Sequence, residues 1–371
     1  MIDEAKLVQN LQILARVEKE AGCKILLAQK AFSNFCEYPL IGKYISGTTA
    51  SGLFEARLGK EEMGKENHVF APAFREEDME ELVTICDHII FNSFAQLKKH
   101  RRACEGKTSF GLRINPECST QEGHAIYDPC APGSRLGVTL SRFEEELERD
   151  PSALDGVEGL HFHTLCEQNS DDLAKTLTAV EEKFGKYLPR LKWINFGGGH
   201  HITKAGYNLP LLEQCIRRMQ DRYGLKVYLE PGEAIALDAG FLAATVLEVI
   251  EGPRRDMPVA VLDVSAACHM PDVLEMPYRP PLSDSGEAGE RKYSYMLAGA
   301  TCLAGDNIGI FSFDEPLVPG RRLLFGDMAI YTMVKNNTFN GMPLPDIVYV
   351  DGQNRWKTVR SFGYEDFKQR L

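Results

Sequence analysis

From residue 24 to about residue 240, short apolar runs ending in small or polar residues alternate with amphipathic stretches of helical period. Eight such runs can be delimited: Lys24–Lys30, Tyr44–Ser51, His68–Ala73, His88–Asn92, Ser109–Ile114, Val157–Thr164, Lys192–Gly198 and Lys226–Pro231. Helices such as Glu76–Cys86 and Ser170–Leu188 separate them. Eight strands alternating with helices predict a (β/α)8 barrel; an open doubly wound sheet reads much the same locally, and the count favours the barrel. After about Asp238 the texture changes. The β-rich runs Phe241–Ile250, Val259–Val264, Lys292–Ala298, Asn307–Phe313 and Ile347–Val350 follow one another without long helices between them. The chain is therefore expected to hold a barrel over residues 1–240 and an all-β domain over 241–371, of β-sandwich or β-barrel-like form. Pro280–Glu290, rich in Pro, Gly, Ser and acid, reads as a mobile surface loop.

With 371 residues, 44% of them hydrophobic, there is enough apolar material for one large core and a smaller one. Acids outnumber bases by 53 to 42, and a net charge of −11 argues against a nucleic-acid backbone or an anionic membrane as partner. A cationic small molecule suits that field better. The ten cysteines include no CxxC pair and read as reduced thiols. The N-terminus lacks an uninterrupted apolar core and no apolar run approaches membrane-spanning length, so a soluble cytoplasmic protein is expected.

In a barrel, the working residues lie where strands end and loops begin. The first run ends in Ala28-Gln29-Lys30-Ala31, placing a lysine at the edge of a buried strand, where desolvation favours the nucleophilic amine. A strand-end lysine that simply reaches solvent is the commoner arrangement. The sixth run carries His161 and His163 on one face, with Cys166 nearby; no recognisable zinc-ligand spacing accompanies them, and a stacking or core histidine fits better. Gly197, Gly198 and Gly199 end the seventh run, where backbone N–H groups between a strand and a helix N-terminus can close around a phosphate, although a triglycine also serves as a plain tight turn. The eighth run ends in Glu230-Pro231-Gly232-Glu233 and brings a carboxylate to the barrel mouth. Together these four features meet the needs of pyridoxal 5′-phosphate (PLP): an amine for covalent attachment, a ring contact, a phosphate cradle and a partner for the pyridinium nitrogen.

At these motifs the chain resembles the alanine-racemase-like PLP-dependent decarboxylases (fold type III), the group that acts on ornithine, diaminopimelate and carboxynorspermidine. Further landmarks are Gly299-Ala300-Thr301-Cys302-Leu303-Ala304-Gly305-Asp306, Gly326-Asp327-Met328-Ala329-Ile330-Tyr331 and Thr338-Phe339-Asn340-Gly341. The segment from Cys268 to Pro280, with His163-Thr164-Leu165-Cys166-Glu167, resembles the carboxynorspermidine branch. The resemblance implies that Lys30 holds PLP covalently, His163 stacks on its ring, Gly197, Gly198 and Gly199 bind its phosphate, and Glu230 pairs with its ring nitrogen. It further implies that Tyr331 contacts the phosphate and that Cys302 is catalytic, entering the site from the partner subunit of a homodimer. Asp263, Asp272 and Glu275 are candidates for holding the distal ammonium groups of a carboxylated polyamine, although each can equally be a solvated loop acid or a cap.

Two departures from the family pattern stand out. Where relatives show an arginine after Glu-Pro-Gly, this chain has Glu233, which cannot donate to phosphate when ionised. Met1-Ile2-Asp3 also leaves almost nothing of the extended strand that usually precedes the first helix. The resemblance implies decarboxylation of carboxynorspermidine or carboxyspermidine. The alternatives are another basic amino-acid decarboxylase such as one for diaminopimelate, a racemase, and a PLP-binding protein without turnover; the long β domain with Cys302 and Tyr331 argues against the last.

Overall fold

The computed structural model describes residues 1–121, 125–251 and 257–371. The chain divides into two compact units, one spanning Gln9–Ile235 and the other joining Met1–Val8 to Ala236–Leu371. Numbered along the chain, the strands begin with β1 (Ile2–Asp3), which belongs to the second unit. Eight follow in the first unit: β2 (Lys24–Ala28), β3 (Gly47–Ala50), β4 (Glu66–Phe70), β5 (His88–Phe91), β6 (Ser109–Arg113), β7 (Gly159–His161), β8 (Trp193–Asn195) and β9 (Lys226–Leu229). Each pairs in parallel with the next and β9 closes on β2, so the sheet is a closed barrel rather than an open one.

The strands overlap all eight apolar runs, and the reason they are legible is their burial. Every residue of β3, β5, β7 and β8 is buried, so these strands read as continuous runs without polar alternation. Helices Glu76–Ile85 and Ser170–Phe184 occupy two of the intervening stretches.

The N-terminal end of the barrel is filled by rings. His68 and His88 stack with centroids 4.0 Å apart, and His88 stacks on Trp193 at 4.7 Å. Trp193 can lie across β6 and β7 because these strands carry glycines beneath it: a Cβ on Gly159 would stand 2.0 Å from the indole and one on Gly111 2.3 Å. Glu66 places an acid in this layer. Burial alone would raise its pKa, but hydrogen bonds from His68 and Tyr228 and the nearby Lys226 charge hold it down at about 2.

The second unit contains β10 (Phe241–Ile250), β11 (Val259–Leu262), β12 (Tyr293–Ala298), β13 (Asn307–Phe313) and β14 (Arg322–Gly326), in the spatial order β13-β12-β11-β10-β14. Its core includes Leu242, Val246, Leu262, Phe311, Phe313 and Phe325. A three-stranded sheet orders β1 beside β15 (Ile347–Val350) and β16 (Trp356–Arg360). The short N-terminus thus still supplies a strand, fixed further by the Met1 amine donating to Phe241 O at 2.8 Å. The β-rich unit also carries short helices at Ala266–His269, Asp272–Glu275, Thr332–Lys335 and Tyr364–Lys368. One detail differs from expectation. Pro280–Glu290 is not a free loop: Gly286 exchanges both backbone hydrogen bonds with Ser312, Leu282 bridges to Phe325, and Arg279 donates to Gly286 O at 2.8 Å. Among the described residues, no helix is long and apolar enough to cross a membrane.

Candidate active site

Lys30 follows β2 by two residues, in a tight turn closed by the Ala31 N–H to Ala28 O bond. The buried Gln29 beside it anchors the turn, donating its N–H to Thr49 O and accepting from Tyr38 Oη at 3.1 Å. Lys30 has solvent-accessible surface, yet it lies deep among protein atoms. Desolvation first, then the Arg113 charge, lowers its pKa, while Glu230, Cys166 and Glu233 pull the other way. The result favours a reactive amine.

Glu230 follows β9 and is buried, 6% exposed. Its Oε2 lies 3.1 Å from His161 Nε2 and its Oε1 accepts from Asn195 Nδ2 at 2.8 Å. Burial pushes the carboxyl pKa up, but the nearby imidazoles of His161 and His68 and the hydrogen bonds from His161 and Asn195 hold it down at about 2. A carboxylate so placed is ionised around neutral pH, and with two oxygens it retains lone pairs for another donor.

His163 accepts the Gly198 N–H at Nδ1 (2.7 Å), which leaves the ring proton on Nε2 and fixes the ring's orientation. Burial, then the Lys30 and Arg113 charges, depresses its pKa well below 6.5. It is therefore a flat, neutral ring.

The three glycines are required by packing. A Cβ on Gly197 would come within 2.5 Å of Phe162 O, one on Gly198 within 2.6 Å of Glu230 O, and one on Gly199 within 2.0 Å of Leu165 O. The loop threads between the chain segments leaving β7 and β9. The expected setting between a strand and a helix N-terminus is not what the structure shows, because the next helix begins only at Leu209, capped by Asn208. Two of the three N–H groups are also engaged, Gly197 with Asn195 Oδ1 at 2.8 Å and Gly198 with His163.

Local patterns did not reveal Arg113 at the end of β6. It is buried, its Nη2 donates to His163 O at 3.2 Å, and its guanidinium lies 4.6 Å from the centre of the Phe70 ring. Burial lowers its pKa to about 10, opposed by Glu230. The signal available was an arginine interrupting the apolar run Phe110-Gly111-Leu112-Arg113-Ile114.

The remaining expected site residues belong to the second unit. Cys302 is exposed, and its N–H donates to Asn340 Oδ1 at 2.7 Å. Asp306 organises the loop that presents it, taking Thr301 Oγ1 at 2.6 Å and the Ala267 N–H at 3.2 Å. Tyr331 adopts φ 53°, a left-handed conformation rare outside glycine, immediately before the helix Thr332–Lys335. Asp272 and Glu275 are gathered by one cation: Lys335 Nζ donates to Asp272 Oδ1 and, at 2.6 Å, to Glu275 Oε2. Asp263 stands apart from them in its bonding, its Oδ1 accepting the Thr245 N–H at 2.6 Å.

For metal binding, Glu66, His68 and His88 offer ligand atoms within 4.8 Å of one another. The two imidazoles stack at an interplanar angle of 17°, so their in-plane lone pairs run side by side instead of converging on an ion.

No protein-family model matches the chain. Against curated proteins it is 41% identical over 381 residues to carboxynorspermidine/carboxyspermidine decarboxylase of Campylobacter jejuni, covering 100% of this chain and 97% of that one. It is 42% identical over 373 residues to carboxyaminopropylagmatine decarboxylase of Synechocystis, covering 100% and 94%. Among solved structures, carboxynorspermidine decarboxylase of Campylobacter jejuni complexed with norspermidine superposes with a TM-score of 0.91 at 39% identity, covering 100% of this chain and 98% of that one. Diaminopimelate decarboxylase from Helicobacter pylori, at 18% identity and a TM-score of 0.78, shares the fold. Matched from end to end by such relatives, the chain belongs to the carboxynorspermidine/carboxyspermidine decarboxylase family.

Proposed function

We propose that this protein is a PLP-dependent decarboxylase whose substrates are carboxynorspermidine and carboxyspermidine. The observation that carries this reading is the convergence, within one barrel, of the strand-end Lys30 with the carboxylate of Glu230, which His161 and Asn195 clamp. These residues fit PLP, which when bound supplies an electron sink for the pair left behind by departing CO2.

Lys30 would hold the cofactor through its amine, which the substrate α-amine would displace. Glu230 would pair with the ring nitrogen and favour its protonated form, which maintains the sink. His163, held by Gly198, offers a neutral face to the ring and limits water there. Lys30 or Cys302 returns a proton to Cα. With an acid at position 233, and with the Gly197 and Gly198 N–H groups engaged, the Gly199 end of the loop would be left to hold the phosphate, and Tyr331 is proposed as a further phosphate contact.

Asp272 and Glu275 are assigned to the substrate's distal ammonium groups, since that acidic pair already gathers a cation. Asp263, whose Oδ1 accepts the Thr245 N–H, is the third candidate. The reading includes a homodimer in which Cys302 serves the partner's site, and a cytoplasmic setting, consistent with ten free thiols.

Carboxyaminopropylagmatine is the second reading, favoured by the 42% identity to the Synechocystis protein. CO2 release measured side by side on carboxynorspermidine, carboxyspermidine, carboxyaminopropylagmatine, diaminopimelate and ornithine decides between them. The proposal expects the first two to have the highest kcat/KM, by about tenfold or more, the scale on which a few contacts to distal groups discriminate. Preference for the third selects the second reading, and preference for either of the last two overturns both.

A further inference from the structure

We propose that His161 is a positioning residue which, with Asn195, clamps Glu230 through two neutral donors and so fixes the carboxylate without cancelling its charge. The inference rests on the reading above that Glu230 faces the cofactor's ring nitrogen.

Three strand ends build the clamp. His161 ends β7 and meets Glu230 Oε2 at 3.1 Å; Asn195 ends β8 and meets Oε1 at 2.8 Å. The Asn195 amide cannot be reversed, because its Oδ1 accepts the Gly197 N–H. The Glu230 N–H donates to Gly197 O at 2.8 Å, so backbone and side chain are held together.

The proton on His161 must lie on Nε2, the nitrogen facing the carboxylate. Its Nδ1 is buried and has no hydrogen-bond partner, so a second proton there would create an unsatisfied buried donor. Phe70 stacks on the imidazole at 5.5 Å with an interplanar angle of 14°, and the Arg113 cation lies over that same phenyl ring. The charged or titratable groups acting on this pair are Arg113, Lys30, His68, His88, His163 and His200. Of these, Arg113 and Lys30 oppose a positive His161, and burial opposes it more strongly still. An imidazolium here would already satisfy Glu230 and compete with a protonated ring nitrogen. A neutral imidazole orients the carboxylate and leaves its full charge for the cofactor.

The test uses holoenzyme and four variants. His161→Phe keeps a ring against Phe70 and removes the donor; His161→Gln restores a neutral N–H; Glu230→Gln and the double variant His161→Phe/Glu230→Gln complete the cycle. Readouts are kcat and KM, the pH profile of kcat, and the protonation of the cofactor's isotope-labelled ring nitrogen followed by NMR. His161→Phe is expected to lower kcat by about tenfold to a hundredfold with little change in KM, as loss of a charge-assisted hydrogen bond does. It should move the acid limb of the profile upward and shift the ring nitrogen toward its unprotonated form. His161→Gln should recover most of each, and the double variant should be no worse than Glu230→Gln. If Glu230→Gln is impaired while His161→Phe behaves as wild type, or if the two losses simply add, this inference is overturned and the Glu230 reading stands. A fully active Glu230→Gln overturns the Glu230 reading itself. Should His161→Phe fail to fold, His161→Met, similar in bulk and unable to donate, is read in its place.

Discussion

The chemistry of single residues here is set by burial against a few named charges. Among the described residues, Lys30 is the lysine that combines a strand-end position with this environment, so Lys30→Ala should abolish both the visible absorbance of bound cofactor and the adduct trapped by borohydride. A retained adduct on another lysine would remove Lys30 from the mechanism. Glu230→Gln should retain the cofactor and slow decarboxylation by about a hundredfold or more, the loss typical of removing a key electrostatic stabiliser. Near-normal turnover would mean that the ring nitrogen does without a proton. Both residues could be read from the sequence because a polar group ending an apolar run is visible locally. Their partners could not: the His161 and Asn195 contacts to Glu230 join positions 69 and 35 residues apart, and only the lateral pairing of β7, β8 and β9 brings these strand ends together. For the same reason Arg113 looks like an ordinary strand residue until Phe70 and His163 are placed around it.

At the scale of elements, the barrel strands were legible because both faces are buried, whereas β16, whose residues are mostly exposed, carries no apolar signature. The triglycine loop is legible as a motif but does not open a helix, because nine residues, 200–208, intervene before the helix at Leu209. Packing predicts a graded response there. Gly206 has φ +82° and no atom within 4 Å of the place a Cβ would occupy, so Gly206→Ala should cost only the left-handed strain of about 1–2 kcal/mol. Gly199 has nearly the same φ of +81°, but its Cβ would collide with Leu165 O, and Gly199→Ala should be the more destabilising by thermal melting. Equal shifts would show that the loop yields at no cost. The ring layer at the other end of the barrel makes a pH prediction. Burial drops the His88 pKa from 6.5 to about 2, so below pH 6.5 the unfolded chain takes up a proton that the folded chain refuses. Stability attributable to His88 is therefore whole above that pH and falls by about 1.4 kcal/mol per pH unit as the solution is acidified. Glu66, at about 2 against an ordinary 4.5, adds its own loss only below pH 4.5. His88→Phe, which keeps the stack on Trp193, should make denaturation midpoints less steep between pH 6.5 and 4.5. Parallel slopes for parent and variant would place the acid sensitivity elsewhere.

For the whole molecule, the informative features are the least local ones. β1 pairs with β15, so Met1–Val8 joins a unit whose other residues begin at Ala236, an association that no window of sequence displays. The net charge of −11, by contrast, is visible at once and suits a polycationic substrate. The prediction that belongs to this scale concerns assembly. Cys302 is exposed at the tip of a loop braced by Asp306 and Asn340, a placement that leaves the thiol open to a second molecule rather than committed to its own core. If each active site takes Lys30 from one protomer and Cys302 from its partner, Lys30→Ala and Cys302→Ala proteins are each inactive alone, but a mixture is not. Random exchange makes half the dimers mixed, and each mixed dimer holds one intact site of two, so activity should return to roughly a quarter of wild type. The mixture must be shown to exchange subunits, for instance with protomers carrying different affinity tags. Exchange without any return of activity would mean that each protomer works with its own cysteine or with none, and the shared site would have to be abandoned.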